Sequence, residues 1–274
     1  MPELPEVETV CRGLSNTILG RKITFADNLR PNLRIPFPEN FGAVLKNKTI
    51  KNISRRAKYI LITLDDGTII IAHLGMSGKM VVFPNFQNDR QKHDHAIFQL
   101  DDGKELIFND PRRFGLITFS DTANINKHKL IVNLGIEPLE SGFDGKFLFK
   151  KFKNKNTPIK TAIMDASLVV GVGNIYACEA LFRSAIAPTA KSGEISAAKC
   201  NELAGNIKNV LFEAIESGGS TLRDYVGSSG KSGYFQHRFK VYGREGESCV
   251  SCQNPIKRLK QSGRSSFYCA NCQK

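Results

Sequence analysis

Apolar residues at Val7, Val10, Cys11, Leu14 and Ile18 recur three or four positions apart, which predicts an amphipathic helix starting near Pro5 and stopping at Gly20. From residue 22 to 120 the pattern shortens to strand-length apolar runs. Residues 57–64 and 68–73 flank Asp65-Asp66-Gly67, and residues 96–100 and 105–108 flank Asp101-Asp102-Gly103. The Asp-Gly steps supply the positive φ that tight hairpins need. With further short runs at 23–25, 50–53 and 116–119, the two hairpins predict a β-sandwich, while residues 84–92 lack periodicity and read as a loop. Beyond residue 120 helical spacing returns, with helices expected over 125–134, 146–152, 159–165, 175–184 and 196–216. The expected fold class is α+β, with an N-terminal sandwich followed by a helical region.

At 274 residues with 41% hydrophobic composition, the chain is long enough for a large core and about two domains, which excludes a disordered protein. No apolar run reaches membrane-spanning length, and the acidic start lacks the basic segment of a secretory signal. A soluble intracellular protein is expected.

Charge and cysteines change the picture further. Against 26 Asp+Glu stand 39 Lys+Arg, a net +13 that favours a polyanionic partner such as nucleic acid. The excess is uneven: residues 231–274 hold nine Lys/Arg and two acidic residues, and residues 146–160 hold six lysines and no acid. Four of seven cysteines, Cys249, Cys252, Cys269 and Cys272, form C-x2-C-x16-C-x2-C. Short paired spacings and an odd total point to tetrahedral Zn²⁺ rather than disulfides. Four thiolates leave the metal no open position, so its role is structural. Lys257, Arg258, Lys260 and Arg264 between the pairs fit a β-hairpin with a basic tip.

Two local signals carry chemistry. Removal of Met1, which a small second residue permits, leaves Pro2 as a secondary amine beside the carboxylate of Glu3. An α-amino group titrates near ~8, against ~10.4 for lysine, so the terminus is the better amine nucleophile. Pro5 with Glu6 and Glu8 behind it also makes an ordinary helix start, and these residues alone do not separate the two readings. The turn Val169-Val170-Gly171-Val172-Gly173-Asn174 leads into a helix and offers N–H groups to a phosphate, or packs closely for its own sake. Residues 217–238, with Gly218, Gly219, Gly227, Gly230 and Gly233 among serines, have a loop composition.

MPELPEVETV at the start, RRAKY at 55–59, HLGMSG at 73–78, DPRRFG at 110–115, VVGVGNIYA at 169–177 and the terminal ribbon with Arg264 together resemble the bacterial formamidopyrimidine-DNA glycosylases, in one order from Met1 to Lys274. The resemblance implies a bifunctional glycosylase and abasic-site lyase that excises 8-oxoguanine and formamidopyrimidines from double-stranded DNA, works as a monomer and resides in the cytoplasm on the nucleoid. It implies a sandwich domain over 1–130, a helical domain with a helix–two-turn–helix over 131–235, a zinc finger over 236–274, and DNA in a cleft between lobes. Pro2 is then the Schiff-base nucleophile, Glu3 the general acid and Glu6 a second active-site carboxylate. Lys58 and Arg264 serve the β- and δ-eliminations and the phosphates beside the lesion. His73 and Asn174 match phosphate contacts, and His93, Arg112 and Lys155 match further DNA contacts. Met76, Arg112 and Phe114 match the residues that fill the void left by an extruded base. Ser232 stands where many members have proline, which implies a looser capping loop. The related endonuclease VIII group, active on oxidised pyrimidines, usually has Gly where this chain has Leu4. A non-catalytic zinc-finger DNA-binding protein accounts for the charge and ribbon but leaves Pro2-Glu3 unexplained.

Overall fold

Helix α1 (Leu4–Ile18) forms where the spacing of apolar positions predicts it, with Val7, Val10, Leu14 and Ile18 fully buried and a proline in its first turn. It ends at Leu19, whose extended backbone is followed by Gly20 at φ +79°. The computed structural model describes residues 1–220 and 235–274. It divides into two compact units: Met1–Val132 with the segment beginning at Ser217, and Asn133–Glu216 with Phe235–Lys274. Among the described residues no helix is long and apolar enough to cross a membrane.

In the first unit α1 is followed by β1 (Ile23–Asn28), the short helix α2 (Phe41–Leu45), β2 (Ile50–Arg56), β3 (Tyr59–Leu64), β4 (Thr68–His73), β5 (Lys79–Phe83), β6 (Asp94–Leu100), β7 (Glu105–Asn109) and β8 (Leu116–Asp121). These make two four-stranded sheets, β1-β6-β7-β5 and β2-β3-β4-β8, in which every pairing is antiparallel. The expected β-sandwich is therefore present. Gly67 at φ +87° and Gly103 at φ +84° close its two Asp-Gly hairpins. Alternate side chains of both sheets enter one core with α1, among them Ile60, Ile62, Ala72, Phe98 and Phe108. Phe41 from α2 sits in it with its ring 5.5–5.6 Å from those of Phe37, Phe98 and Phe119.

Residues 84–92 carry no strand or helix, as expected, but they are anchored. Arg90 pairs with the wholly buried Glu105, which also accepts the Gln87 backbone N–H at 3.1 Å. Strand β5 lies outside the runs that the apolar pattern predicts, since only Met80 among its five residues is fully buried.

The helix expected over 125–134 is absent. A single 3₁₀ turn at Ile125–Lys127 ends at His128, whose backbone is extended (φ −61°, ψ 135°). The His128 ring takes the Leu130 N–H at 3.3 Å, a side-chain acceptor that competes with the helical ladder. The remaining helices form: α3 (Gly145–Phe152), α4 (Ile159–Ile163), α5 (Asn174–Arg183) and α6 (Ala197–Glu216), joined by the hairpin β9 (Lys257–Gln261) and β10 (Arg264–Tyr268). Asp144 caps α3 by accepting the Phe147 N–H at 2.7 Å. Gly145 lets α3 approach α6, because a Cβ there would lie 2.4 Å from Asn201 Cα. The C-terminal segment that carries the hairpin packs on Cys178 and Phe182 of α5 through Val241, Ile256 and Cys269, with Phe267 of β10 against the same cluster.

Phe41→Ala should destabilise the first unit by about 3–5 kcal/mol, since a ring 2% exposed leaves a cavity among three other rings. Urea unfolding followed by near-UV signal measures it.

Candidate active site and nucleic-acid interface

The N-terminus is held by a reciprocal cap. Glu3 is the N-cap of α1; the Glu6 carboxylate takes the Glu3 N–H at 2.8 Å through Oε2, and the Glu3 side chain takes the backbone N–H of Glu6. Both carboxylates are 2% exposed. Glu6 Oε1 accepts the backbone N–H and the hydroxyl of Ser220, at 2.8 and 2.9 Å. Glu6 thus joins the helix start to the first residues of the glycine-rich segment, most of which, with Ser232, lies outside the described residues. Pro2 is buried, and Met1 on its nitrogen is 46% exposed.

Lys58 stands in the β2–β3 turn next to Ala57, which adopts φ +54°. That unfavourable conformation is held by Arg55, whose guanidinium donates to the Ala57 carbonyl at 3.0 Å and to Glu8 of α1 at 3.0 Å. The Lys58 turn is therefore tied to the same helix that carries Pro2 and Glu3. One strand on, Tyr59 pairs with His73 in register, their rings 5.1 Å apart. His73 Nδ1 accepts the Gly75 N–H at 2.9 Å, so the ring proton resides on Nε2. Burial, helped by the cations of Lys58 and Arg34, pushes the imidazole down to about 4.

Met76, Arg112 and Phe114 lie on two adjoining turns, residues 74–78 and 110–115. Phe114 is 47% exposed, with the Arg112 guanidinium 5.3 Å over its ring. Gly75, at φ +64°, brings the two turns so close that a Cβ would lie 2.4 Å from the Phe114 carbonyl carbon. His93 is half-buried beside them, its carbonyl accepting the Asp110 N–H at 3.0 Å.

In the second unit the glycine turn delivers α5. Gly171 takes φ +80°, Gly173 is the N-cap and Asn174 opens the helix. The Asn174 side chain is already engaged: Oδ1 accepts from Lys160 Nζ at 2.5 Å and Nδ2 donates to the Ser265 carbonyl at 2.9 Å. Lys160, only 2% exposed, also donates to Ser266 Oγ at 2.7 Å. This buried ammonium locks α4, the start of α5 and strand β10 together. Lys155 and Arg264 meet across the adjoining pocket of about 250 Å³, which Lys160, Thr161 and Gln261 also line. Both cationic side chains are exposed at this concavity, which the carboxylate of Asp165 also lines.

The four ribbon cysteines converge, with all four sulfurs within 4.8 Å of one another. The pairs Cys252–Cys269 and Cys249–Cys272 are 3.4 and 3.9 Å apart. A tetrahedron of thiolates around Zn²⁺ has sulfurs roughly 3.8 Å apart, so the set fits one structural zinc. Glu179, wholly buried on α5, accepts the backbone N–H groups of Lys240, Val241 and Tyr242 at 2.9 Å and so fastens the chain entering the ribbon.

Comparison with known proteins follows this layout. The model of the formamidopyrimidine-DNA glycosylase N-terminal domain matches residues 1–117, that of the formamidopyrimidine-DNA glycosylase H2TH domain residues 134–226, and that of the zinc finger found in FPG and IleRS residues 246–274. The chain belongs to the formamidopyrimidine-DNA glycosylase family. It is 50% identical to the formamidopyrimidine-DNA glycosylase of Roseobacter denitrificans over 283 aligned positions, with all of each chain covered. It is also similar to the wild-type Lactococcus lactis Fpg solved with N7-benzyl-Fapy-dG containing DNA (34% identity, TM-score 0.92, both chains covered in full). The Lactococcus lactis Fpg solved with abasic-site DNA gives 34% identity and a TM-score of 0.92 over 99% of each chain.

For this glycosylase family member, sequence reasoning missed the groups that support the site: Arg55, Asp110, Lys160 and Glu179. Lys160 and Glu179 left a signal, each being a charged residue inside an otherwise apolar helical stretch (Ile159-Lys160-Thr161-Ala162-Ile163 and Ala177-Cys178-Glu179-Ala180-Leu181).

Cys252→Ser should lose zinc, read by metal analysis, and weaken DNA binding while leaving the first unit folded. His73 generates a pH dependence. Its folded pKa lies below the ordinary 6.5, so this contribution to stability is complete above pH 6.5 and is lost as pH falls from there toward about 4. Urea unfolding across pH 4–8 should show this slope reduced in His73→Gln, and ¹⁵N shifts should report an Nε2–H neutral ring at pH 6.

Proposed function

We propose that this chain is a base-excision repair enzyme that removes oxidised purines, 8-oxoguanine and formamidopyrimidines, from double-stranded DNA and then cleaves the abasic site. It acts as a monomer in the bacterial cytoplasm, on the nucleoid. The observation that carries the reading is the helix start: a buried proline next to a buried capping carboxylate, with Glu6 satisfying the Glu3 N–H.

With Met1 removed, the Pro2 nitrogen forms a bond to the sugar C1′ as the bond to the damaged base breaks and the base departs with a proton. Glu3 gives a proton to the sugar ring oxygen as the ring opens, which leaves an iminium cation on C1′. A secondary amine suits this step because its iminium has no N–H to lose. The cation draws electrons from the neighbouring C–H bond, so loss of that proton expels the 3′ phosphate, and a second elimination expels the 5′ phosphate. Lys58 and Arg264 serve these eliminations and hold the flanking phosphates. Glu6 positions Glu3 and the segment beginning at Ser220. His73 offers a neutral Nε2–H donor to the backbone, with Asn174, Lys155, His93 and Arg112 as further DNA contacts. Met76, Arg112 and Phe114 fill the void when the damaged nucleotide leaves the stack. The zinc holds the ribbon that carries Arg264 and takes no part in the chemistry.

Borohydride reduction with an oligonucleotide duplex carrying 8-oxoguanine opposite cytosine should trap a covalent adduct, and protein that retains Met1 should give none. Absence of adduct from protein with a verified free Pro2, under conditions where it binds that DNA, would overturn the enzyme reading in favour of a binding protein.

A further inference from the structure

The exposed tip at residues 111–114 is held from beneath by a carboxylate with no access to water. Asp110 is 0% exposed. Its Oδ1 accepts the Ser77 hydroxyl at 2.7 Å and its Oδ2 accepts the Gly115 N–H at 2.8 Å. The Arg112 N–H is shared between Ser77 Oγ at 3.2 Å and Asp110 Oδ1 at 3.3 Å. The Asp110 carbonyl accepts His95 Nε2–H at 2.8 Å, and the Arg113 N–H closes on the same carbonyl at 3.2 Å, with Arg113 at φ +57°. One carboxylate thus spans two turns that are 33 residues apart in sequence. Those turns carry Met76 on one side and Arg112 with Phe114 on the other, and they approach so closely at Gly75 that a Cβ there would lie 2.4 Å from the Phe114 carbonyl carbon.

We propose that Asp110 is a positioning residue which, through Ser77, locks the two turns into one rigid wedge, so that Met76, Arg112 and Phe114 enter the base stack together. This rests on the reading above that these three fill the void. The physical reason is entropic. Three side chains on independently moving turns must each be ordered on entering the duplex, whereas a locked wedge has met that cost during folding. A buried carboxylate saturated by hydroxyl and N–H donors is rigid because releasing any one donor leaves an unpaired buried group.

Ser77→Ala removes the hydroxyl between the turns while sparing the Gly115 bond; Asp110→Asn replaces an acceptor oxygen by a donor. Both are compared with Phe114→Ala on two substrates: 8-oxoguanine opposite cytosine in duplex, which requires the wedge, and an abasic site in a single-stranded oligonucleotide, which offers no stack to enter. The expected result is a loss of about 10–100-fold in single-turnover excision from duplex for Ser77→Ala and Asp110→Asn. Their cleavage of the single-stranded abasic site should stay within about twofold, and Ser77→Thr, which keeps the hydroxyl, should restore duplex excision. Equal losses on both substrates would assign the pair to general folding and overturn the proposal. If Phe114→Ala slows duplex excision while neither Ser77→Ala nor Asp110→Asn does, the lock alone is wrong. If Phe114→Ala itself leaves duplex excision unchanged, the void-filling reading fails and the lock falls with it.

Discussion

The carboxylate of Glu6 is the constraint on which the N-terminal end of the first unit depends. One oxygen fixes the Glu3 backbone and the other fixes Ser220, so a single side chain sets both the direction in which the N-terminus leaves the helix and the point where the glycine-rich segment begins. A carboxylate at this position costs desolvation, which the three N–H and O–H donors and the helix N-terminus offset. The helix itself is pinned to β2 by Glu8 and Arg55. Pro2, next to the Glu3 cap, is thereby mounted on a rigid part of the core.

The same construction recurs wherever this protein presents a charged or aromatic group. Arg55 lies under the Lys58 turn, Asp110 under Arg112 and Phe114, and Lys160 under Asn174, while Glu179 lies under the chain that enters the zinc ribbon. In each case a charged side chain with little or no exposure makes two or more hydrogen bonds to the backbone or to polar side chains of another part of the chain. Removing such a support leaves its buried N–H, hydroxyl or carbonyl partners unpaired, so these residues are less replaceable than the groups they carry.

The strand-length apolar runs, the Asp-Gly hairpins, the first helix and the paired cysteines were legible because each rests on a local rule that the tertiary structure did not override. The stretch 125–134 misled because its apolar residues do have helical spacing, and only the ring of His128 capturing a backbone N–H reveals the break. Pro2 beside Glu3 stood out locally as an amine next to a carboxylate, whereas Lys58 and Arg264 were singled out through motif resemblance, since a turn lysine and a ribbon arginine look like solvated surface. Asp110 was hidden inside a quoted motif: its partners Ser77 and Gly115 are identifiable only once strands bring 77 and 110 together. Sequence pattern can flag such a residue, as the charges of Lys160 and Glu179 inside apolar stretches do, but not its partners, which lie far along the chain.

The bond from the Gly75 N–H to His73 Nδ1 has a consequence for how affinity is read. A neutral imidazole that meets a phosphate through Nε2–H displaces no condensed counterion, whereas each lysine or arginine that does so releases one. The slope of binding against salt concentration therefore counts cationic contacts and would be blind to a contact made by His73. Affinity retained at high ionic strength is where the contribution of His73 would be found.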